Sequence, residues 1–201
     1  MNLQTKITIA APDFSIDYNS KLMMLGSCFA ENMGGKFSYY KFDVDVNPCG
    51  IIYNPLSVAN VLRLIMEGKP FGKDDLRKVG EKWVSLYHHG AFSSTDPEEC
   101  LRRINERLER ATRELRSLDL LVITWGTAWV YKHVGENLVV SNCHKIPSQE
   151  FERSRLSVED IVKEYVELIG RLREINPGLR VLFTVSPIRH WKDGAHGNQL
   201  S

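Results

Sequence analysis

The sequence predicts an α/β protein, and more specifically a three-layer α/β/α sandwich with a mainly parallel sheet. Three short apolar runs, at residues 22–25, 120–125 and 181–185, are typical of strands that are buried on both faces. Segments with helical periodicity separate these runs, and strands that alternate with helices are expected to pair in parallel. The length suffices for one domain, which we expect to cover residues 1–201.

Helices are predicted where a capping residue precedes an apolar face. Asn54 followed by Pro55 is a start signal, because asparagine caps a helix and proline fits its first position. In the clearest helix, Leu101, Ile104 and Leu108 recur at spacings of three and four residues. The predicted helices cover about residues 55–67, 96–118 and 157–176, and a shorter helix-compatible stretch runs from about residue 28 to residue 37.

Turn residues and short apolar segments predict the structure of the remaining parts. A short strand is predicted at residues 44–46, and a hairpin is predicted around the turn at residues 135–137. Residues 68–95 lack a clear period and are predicted to be irregular, with the adjacent His88 and His89 exposed in a loop.

Composition and charge exclude several classes of protein. Hydrophobic residues make up 43% of the chain and charged residues 25%, which is typical of a globular domain. A net charge of +1 provides no field that attracts nucleic acid or an anionic membrane, so neither partner is expected. No apolar run approaches the roughly 20 residues that span a bilayer, and no signal peptide is apparent at the N-terminus.

The four cysteines are Cys28, Cys49, Cys100 and Cys143. They are widely spaced and form no C-x-x-C pair, which argues against a zinc site or a redox dithiol. We therefore expect reduced thiols, a cytoplasmic location, and neither a metal nor another cofactor.

Three polar or small segments leave the ends of the predicted buried strands. They lie at residues 26–28, 126–128 and 186–190. The carboxyl ends of parallel strands meet at one end of a sheet, so these segments are expected to converge on a site. The first segment is the most reactive by composition, because Ser27 and Cys28 follow Gly26 at a helix N-terminus that favours negative charge. The alternative is that Ser27 only caps the helix and Cys28 packs as a small hydrophobic residue.

Five stretches of the chain, in order, resemble the conserved blocks of the bacterial GSCFA family, whose name is read at residues 26–30. The stretches are LGSCFA at 25–30, NPCGIIYNP at 47–55, TWGTAWVY at 124–131, NCHKIP at 142–147 and SPIRHWKDG at 186–194. The GSCFA family in turn is similar to SGNH (GDSL-like) hydrolases, which have a flavodoxin-like sandwich and act mostly as esterases.

The resemblance implies a nucleophile at the first block and an oxyanion hole built from later ones. Aligning the glycines without a gap puts Cys28 at the nucleophile position, whereas a shift of one residue restores Ser27. Gly50 then matches the glycine that supplies an oxyanion donor. Gly126 and Thr127 match the Gly-x-Asn block, whose asparagine is Ala128 here, so Asn142 is a possible substitute donor.

The resemblance also implies a late Asp-x-x-His block, and the sequence departs from it. Residues 193–196 fit the letters but precede the expected place, so we expect the catalytic histidine and its acid partner beyond Ser201 in a longer parent chain. Within this chain His190 is the first alternative base, and Arg189 and His144 are expected to bind substrate or oxyanion.

The expected function is an acyl hydrolase or acyltransferase that uses a Ser or Cys nucleophile, with a small-molecule or glycan acyl ester as its partner. The alternative is a non-catalytic module that binds a small molecule or a carbohydrate in the same cleft. The oligomeric state stays open.

Overall fold

The computed structural model describes residues 13–188 and 193–199. Its strands are β1 (Lys21–Gly26), β2 (Asp43–Val46), β3 (Arg77–Val79), β4 (Lys82–Val84), β5 (Leu120–Trp125), β6 (Trp129–His133), β7 (Leu138–Val140), β8 (Phe151–Arg155) and β9 (Arg180–Val185). Its helices are α1 (Cys28–Tyr39), α2 (Pro55–Glu67), α3 (Pro97–Leu115), α4 (Val158–Ile175) and α5 (Gly194–Gln199).

The central sheet has four parallel strands in the order β2-β1-β5-β9. In the register of this sheet, Leu22 of β1 is paired with Val44 of β2 and with Leu120 of β5, and Leu120 is paired with Arg180 of β9. All four strands therefore end at the same end of the sheet, where sites of α/β proteins lie. The predicted mainly parallel sheet is confirmed.

Alternate residues of the central strands enter two different cores. Met23 and Ile123 point into the larger core, which α2, α3 and α4 cover. Met24 and Val122 point into the smaller core on the opposite face, which α1 covers through Ala30. Because successive side chains of a strand point to opposite faces, a strand that is apolar throughout requires a layer on each side. The three-layer α/β/α architecture is confirmed.

The hairpin predicted around residues 135–137 is present, and it belongs to a second sheet. β6 pairs in an antiparallel manner with β7 on one side and with β8 on the other. The sequence did not indicate β8, because four of its five residues are exposed and charged or polar, without the alternation of a half-buried strand.

The segment at residues 68–95 is not wholly irregular, so that prediction is wrong in part. β3 and β4 form a hairpin, and Trp83 and Ser94 exchange two backbone hydrogen bonds of 2.7 and 3.2 Å. Strands of three residues are too short to display a period of two, which explains why the sequence did not reveal them.

His88 is buried rather than exposed, which corrects the second prediction for this segment. Its Nδ1 lies 2.9 Å from the hydroxyl of Ser85, and its ring packs against Phe71 and Phe92. Burial lowers the pKa of His88 to about 3, and the nearby His144 acts in the same direction. The residue is therefore a neutral part of the core at pH 7.

No helix within the described ranges has the length and apolar character that crossing a bilayer requires.

Candidate active site

The turn after β1 depends on Gly26. This residue has a φ of 128°, in the region that favours glycine, and a Cβ there would overlap the carbonyl oxygen of Thr124. The neighbouring strand β5 thus lies so close that only glycine fits, and the next two residues enter α1 at a fixed angle.

Ser27 faces the protein rather than the solvent, and only 7% of it is exposed. Its backbone N–H donates to Oγ1 of Thr124 at 2.9 Å, and the two hydroxyls lie 3.0 Å apart. Its own Oγ accepts from the N–H of Phe29 at 3.3 Å, so the side chain caps α1. The structure therefore places Ser27 as a buried cap that is tied to β5.

Cys28 is exposed and is the first residue of α1. At this position the backbone N–H has no carbonyl partner inside the helix, and the helix dipole favours negative charge. All four cysteines are free thiols, and Cys49 and Cys100 are buried. Burial raises the pKa of Cys49 to about 12 and also raises the pKa of Cys100, so neither thiol ionises readily. Of the four thiols, only that of Cys28 is exposed, and its residue lines a cleft.

The cleft beside Cys28 lies where the sequence predicted a site, at the carboxyl ends of the parallel strands. Its volume is about 340 Å³, and most of its surface is apolar. Residues from all three predicted segments line it: Ser27 and Cys28 after β1, Gly126 and Thr127 after β5, and Ser186 and Ile188 after β9. The predicted convergence of these segments is therefore observed.

One wall of the cleft comes from the second sheet, which sequence analysis did not connect to the site. The guanidinium of Arg153 lies 4.0 Å from the ring centre of Trp129 and 5.7 Å from that of Tyr131. Arg153 also forms an ion pair with Asp193, whose side chain is 4% exposed. This contact joins β8 to the residue directly before α5 and closes one side of the cleft.

The side chain of Asn47 holds the turn after β1 through hydrogen bonds, a role that sequence analysis missed. Its Oδ1 accepts from the N–H of Gly26 at 2.9 Å, and its Nδ2 donates to Glu31 at 2.8 Å. The residue is 5% exposed and has a φ of 44°, a left-handed conformation that asparagine tolerates. An asparagine before Pro48 is a turn signal, but nothing in its sequence position reveals contact with Gly26.

The predicted oxyanion residues occupy different environments. The N–H of Gly50 donates to the carbonyl of Asn47 at 2.7 Å, and it is the next residue, Ile51, that lines the cleft. The N–H of Gly126 donates to the carbonyl of Tyr53 at 2.8 Å. Thr127 lines the cleft, and its Oγ1 accepts from the backbone N–H of Trp129 at 3.1 Å. A hydroxyl that accepts a hydrogen bond can also donate one.

Asn142 and His144 lie outside this cleft. Asn142 lines a separate narrow cavity with His88 and His89, and its Oδ1 accepts from the N–H of His144 at 2.9 Å. Nε2 of His144 lies 3.0 Å from the carbonyl oxygen of His88. Burial lowers the pKa of His144, although its contacts with backbone carbonyls oppose the shift. No group of three potential metal ligands was found among residues 13–188 and 193–199.

Arg189 and His190 lie outside the described residues, so their predicted roles stay predictions.

Comparison with known proteins gives one match. The model of the GSCFA family matches residues 21–201, which is nearly the whole chain. No curated protein and no solved structure matches this chain significantly. The family signature coincides with the turn that carries Ser27 and Cys28, and the five sequence blocks lie within the matched range. The chain therefore belongs to the GSCFA family.

Proposed function

We propose that this protein is an acyl hydrolase or acyltransferase that uses Cys28 as its nucleophile. The observation that carries the proposal is the contrast between two adjacent side chains. Cys28 is exposed at the cleft, whereas Ser27 is buried against Thr124 and caps α1. A nucleophile must reach the carbonyl carbon of its substrate, and in this geometry the thiol does so more readily than the hydroxyl.

The proposed reaction has two steps. First, Sγ of Cys28 bonds to the acyl carbon, the ester C–O bond breaks, and the thiol proton leaves with the departing alcohol. In the second step, water or an acceptor hydroxyl attacks the thioester. The acyl group leaves as a carboxylic acid or as a new ester, and the proton of the attacking group returns to the thiol. The similarity to SGNH hydrolases supports ester chemistry, and His190 remains our proposed proton carrier within this chain.

Two donors are proposed for the oxyanion that forms in each step. The first is the backbone N–H of Cys28, which starts α1 and has no partner within the helix. The second is the hydroxyl of Thr127, which lines the cleft and already accepts its own hydrogen bond. Donors that are fixed before the reaction stabilise the developing charge without reorganisation.

The substrate is proposed to be a small-molecule or glycan acyl ester, and the reaction is proposed to occur in the cytoplasm. Four cysteines without a disulfide support a reducing compartment. The aromatic side chains of Trp129 and Tyr131 line the cleft next to Arg153, and this combination of aromatic and polar groups supports a sugar ring as part of the substrate.

The test is covalent labelling by an activated ester. After incubation with p-nitrophenyl butyrate, peptide mass spectrometry should find a butyryl group on Cys28. The Cys28→Ala variant should lose this label, whereas Ser27→Ala should keep it and lose about 1 kcal/mol of stability with the cap. Cys143→Ala is the matched control, because Cys143 is only partly exposed and lies outside the cleft lining. A label on Ser27, or no label on either residue, contradicts the assignment.

A non-catalytic binding module is the second candidate function. The observation that favours it is the cleft wall, where Arg153 stacks on an aromatic ring, while no histidine from the described part of the chain lines the cleft. Calorimetry with an O-acetylated oligosaccharide distinguishes the two. Saturable binding by the wild-type protein, without release of acetate and without label on Cys28, supports the binding module.

A further inference from the structure

A second, larger cavity lies beside the cleft, and we refer to it as the apolar groove. It runs between α4 and the end of β9, with a volume of about 560 Å³ and an almost entirely apolar surface. Its outer side is formed by Val158, Val162 and Val166, which are 71%, 54% and 68% exposed. Valines at intervals of four residues form one continuous stripe along a helix, so this is an apolar patch rather than scattered exposure.

The floor of the apolar groove is an aromatic cluster whose polar atoms are satisfied internally. Nε1 of Trp125 donates to the hydroxyl of Tyr165 at 3.2 Å, and that hydroxyl donates to the carbonyl of Pro55 at 2.9 Å. The ring of Phe183 packs against both aromatic residues. Because these polar atoms already have partners, the floor offers carbon surface and few hydrogen bonds to a ligand.

The apolar groove adjoins the cleft that contains Cys28. Thr127 lines both cavities. Next to it in sequence, Gly126 lines the cleft and Ala128 lines the groove. At the end of the neighbouring strand β9, Val185 lines the groove and the next residue, Ser186, lines the cleft. An acyl chain whose carbonyl carbon lies at Cys28 would therefore pass Thr127 to reach the apolar groove.

We propose that the apolar groove binds the acyl chain of the substrate, so that the protein acts on esters of medium- or long-chain fatty acids. This inference rests on the proposed function and specifies its substrate. A saturated chain fits the observations because it needs no hydrogen bonds and gains free energy from every methylene that leaves water. The volume also lies in the range of small-molecule sites.

The first experiment measures selectivity for chain length with p-nitrophenyl esters of two to twelve carbons. The value of kcat/KM should rise by about two- to fourfold for each added methylene that the groove buries. The double variant Val162→Gln, Val166→Gln should lower the ratio of dodecanoate to acetate turnover by at least tenfold. Val134→Gln is the matched control, because Val134 is 53% exposed and lies after β6, away from the groove. It should leave the ratio unchanged.

The second experiment measures binding of cis-parinaric acid, a fluorescent fatty acid, and does not depend on turnover. Cys28→Ala should bind this probe as the wild type does, whereas the double valine variant should bind it about tenfold more weakly. Binding without acylation of Cys28 would refute the proposed function and leave the acyl site intact.

Two results overturn the proposal for the groove. The first is acylation of Cys28 by short esters with no dependence on chain length and no binding of cis-parinaric acid. The second is a change of oligomeric state in the double valine variant, measured by analytical ultracentrifugation, with an unchanged chain-length profile. That result identifies the valine stripe as a protein contact instead.

Discussion

Replacing Asn47 by alanine is expected to destabilise the whole turn that carries Cys28. The change removes the acceptor for the N–H of Gly26 and the donor to Glu31, at 2.9 and 2.8 Å. A buried donor left without a partner costs about 1–3 kcal/mol, and a hydrogen bond to a charged group contributes about 1.5–3 kcal/mol. Glu31 is exposed and regains water, so we take the lower part of the second range.

The expected loss in the free energy of unfolding is therefore about 2.5–4.5 kcal/mol. For a chain of this size that corresponds to a decrease in Tm of about 5–18 °C. Urea denaturation and differential scanning calorimetry measure both quantities. Acylation of Cys28 should slow in parallel, because the turn loses its support from β2. A loss below about 0.5 kcal/mol would refute the role that we assign to Asn47.

A variant that adds a negative charge at position 47 provides the matched control for this prediction. Asn47→Asp keeps the acceptor for Gly26 but places a carboxylate against Glu31, so it should also destabilise the protein. Adding Glu31→Gln should restore most of the stability, because the amide of the glutamine can donate to the new aspartate. Failure of the double variant to recover would show that the effect is steric rather than electrostatic.

Two further predictions follow from burial. Iodoacetamide at pH 8 should modify Cys28 first and Cys49 only after unfolding. Burial raises the pKa of Cys49 to about 12, which leaves almost no thiolate to react. Modification of Cys49 in the folded protein at a rate similar to that of Cys28 would contradict this burial. Stability should fall between pH 6.5 and pH 4, because burial lowers the pKa of His88 to about 3 and the unfolded chain then binds more protons than the folded one. At pH 5 this loss of stability amounts to about 2 kcal/mol, and it should disappear in the His88→Gln variant. Urea denaturation at several pH values measures it. An equal pH dependence in His88→Gln would assign the loss to other groups.

The helices were predictable because their signals are local. Asn54 accepts from the N–H of Ser57 at 2.8 Å, as its place before Pro55 indicates. Ser157 and Asp160 form a reciprocal capping box at the start of α4. These contacts join residues three positions apart, so the chain determines them almost without help from the rest of the fold.

The elements that sequence analysis missed depend on distant partners. β8 is mostly exposed and polar, and it becomes a strand only because β6 offers an open edge. His88 is buried because Phe71 and Phe92 enclose its ring, although its sequence neighbours are typical of a loop. Periodicity reports the contrast between an apolar and a polar face, so it carries no information where that contrast is absent.

The sequence by itself determined the layers of this protein and the place of its candidate site. Strands that are apolar throughout need a covering layer on each face, and parallel strands end together, so the turns after β1, β5 and β9 had to meet. Ser27 and Cys28 both line the cleft, and only the tertiary structure decided which of them is exposed there. Both follow Gly26 directly, and the difference comes from Thr124, which is 97 residues away from Ser27 and binds it with its backbone and its hydroxyl. That contact buries most of Ser27, whereas Cys28 is exposed, because adjacent residues at the start of a helix project in different directions.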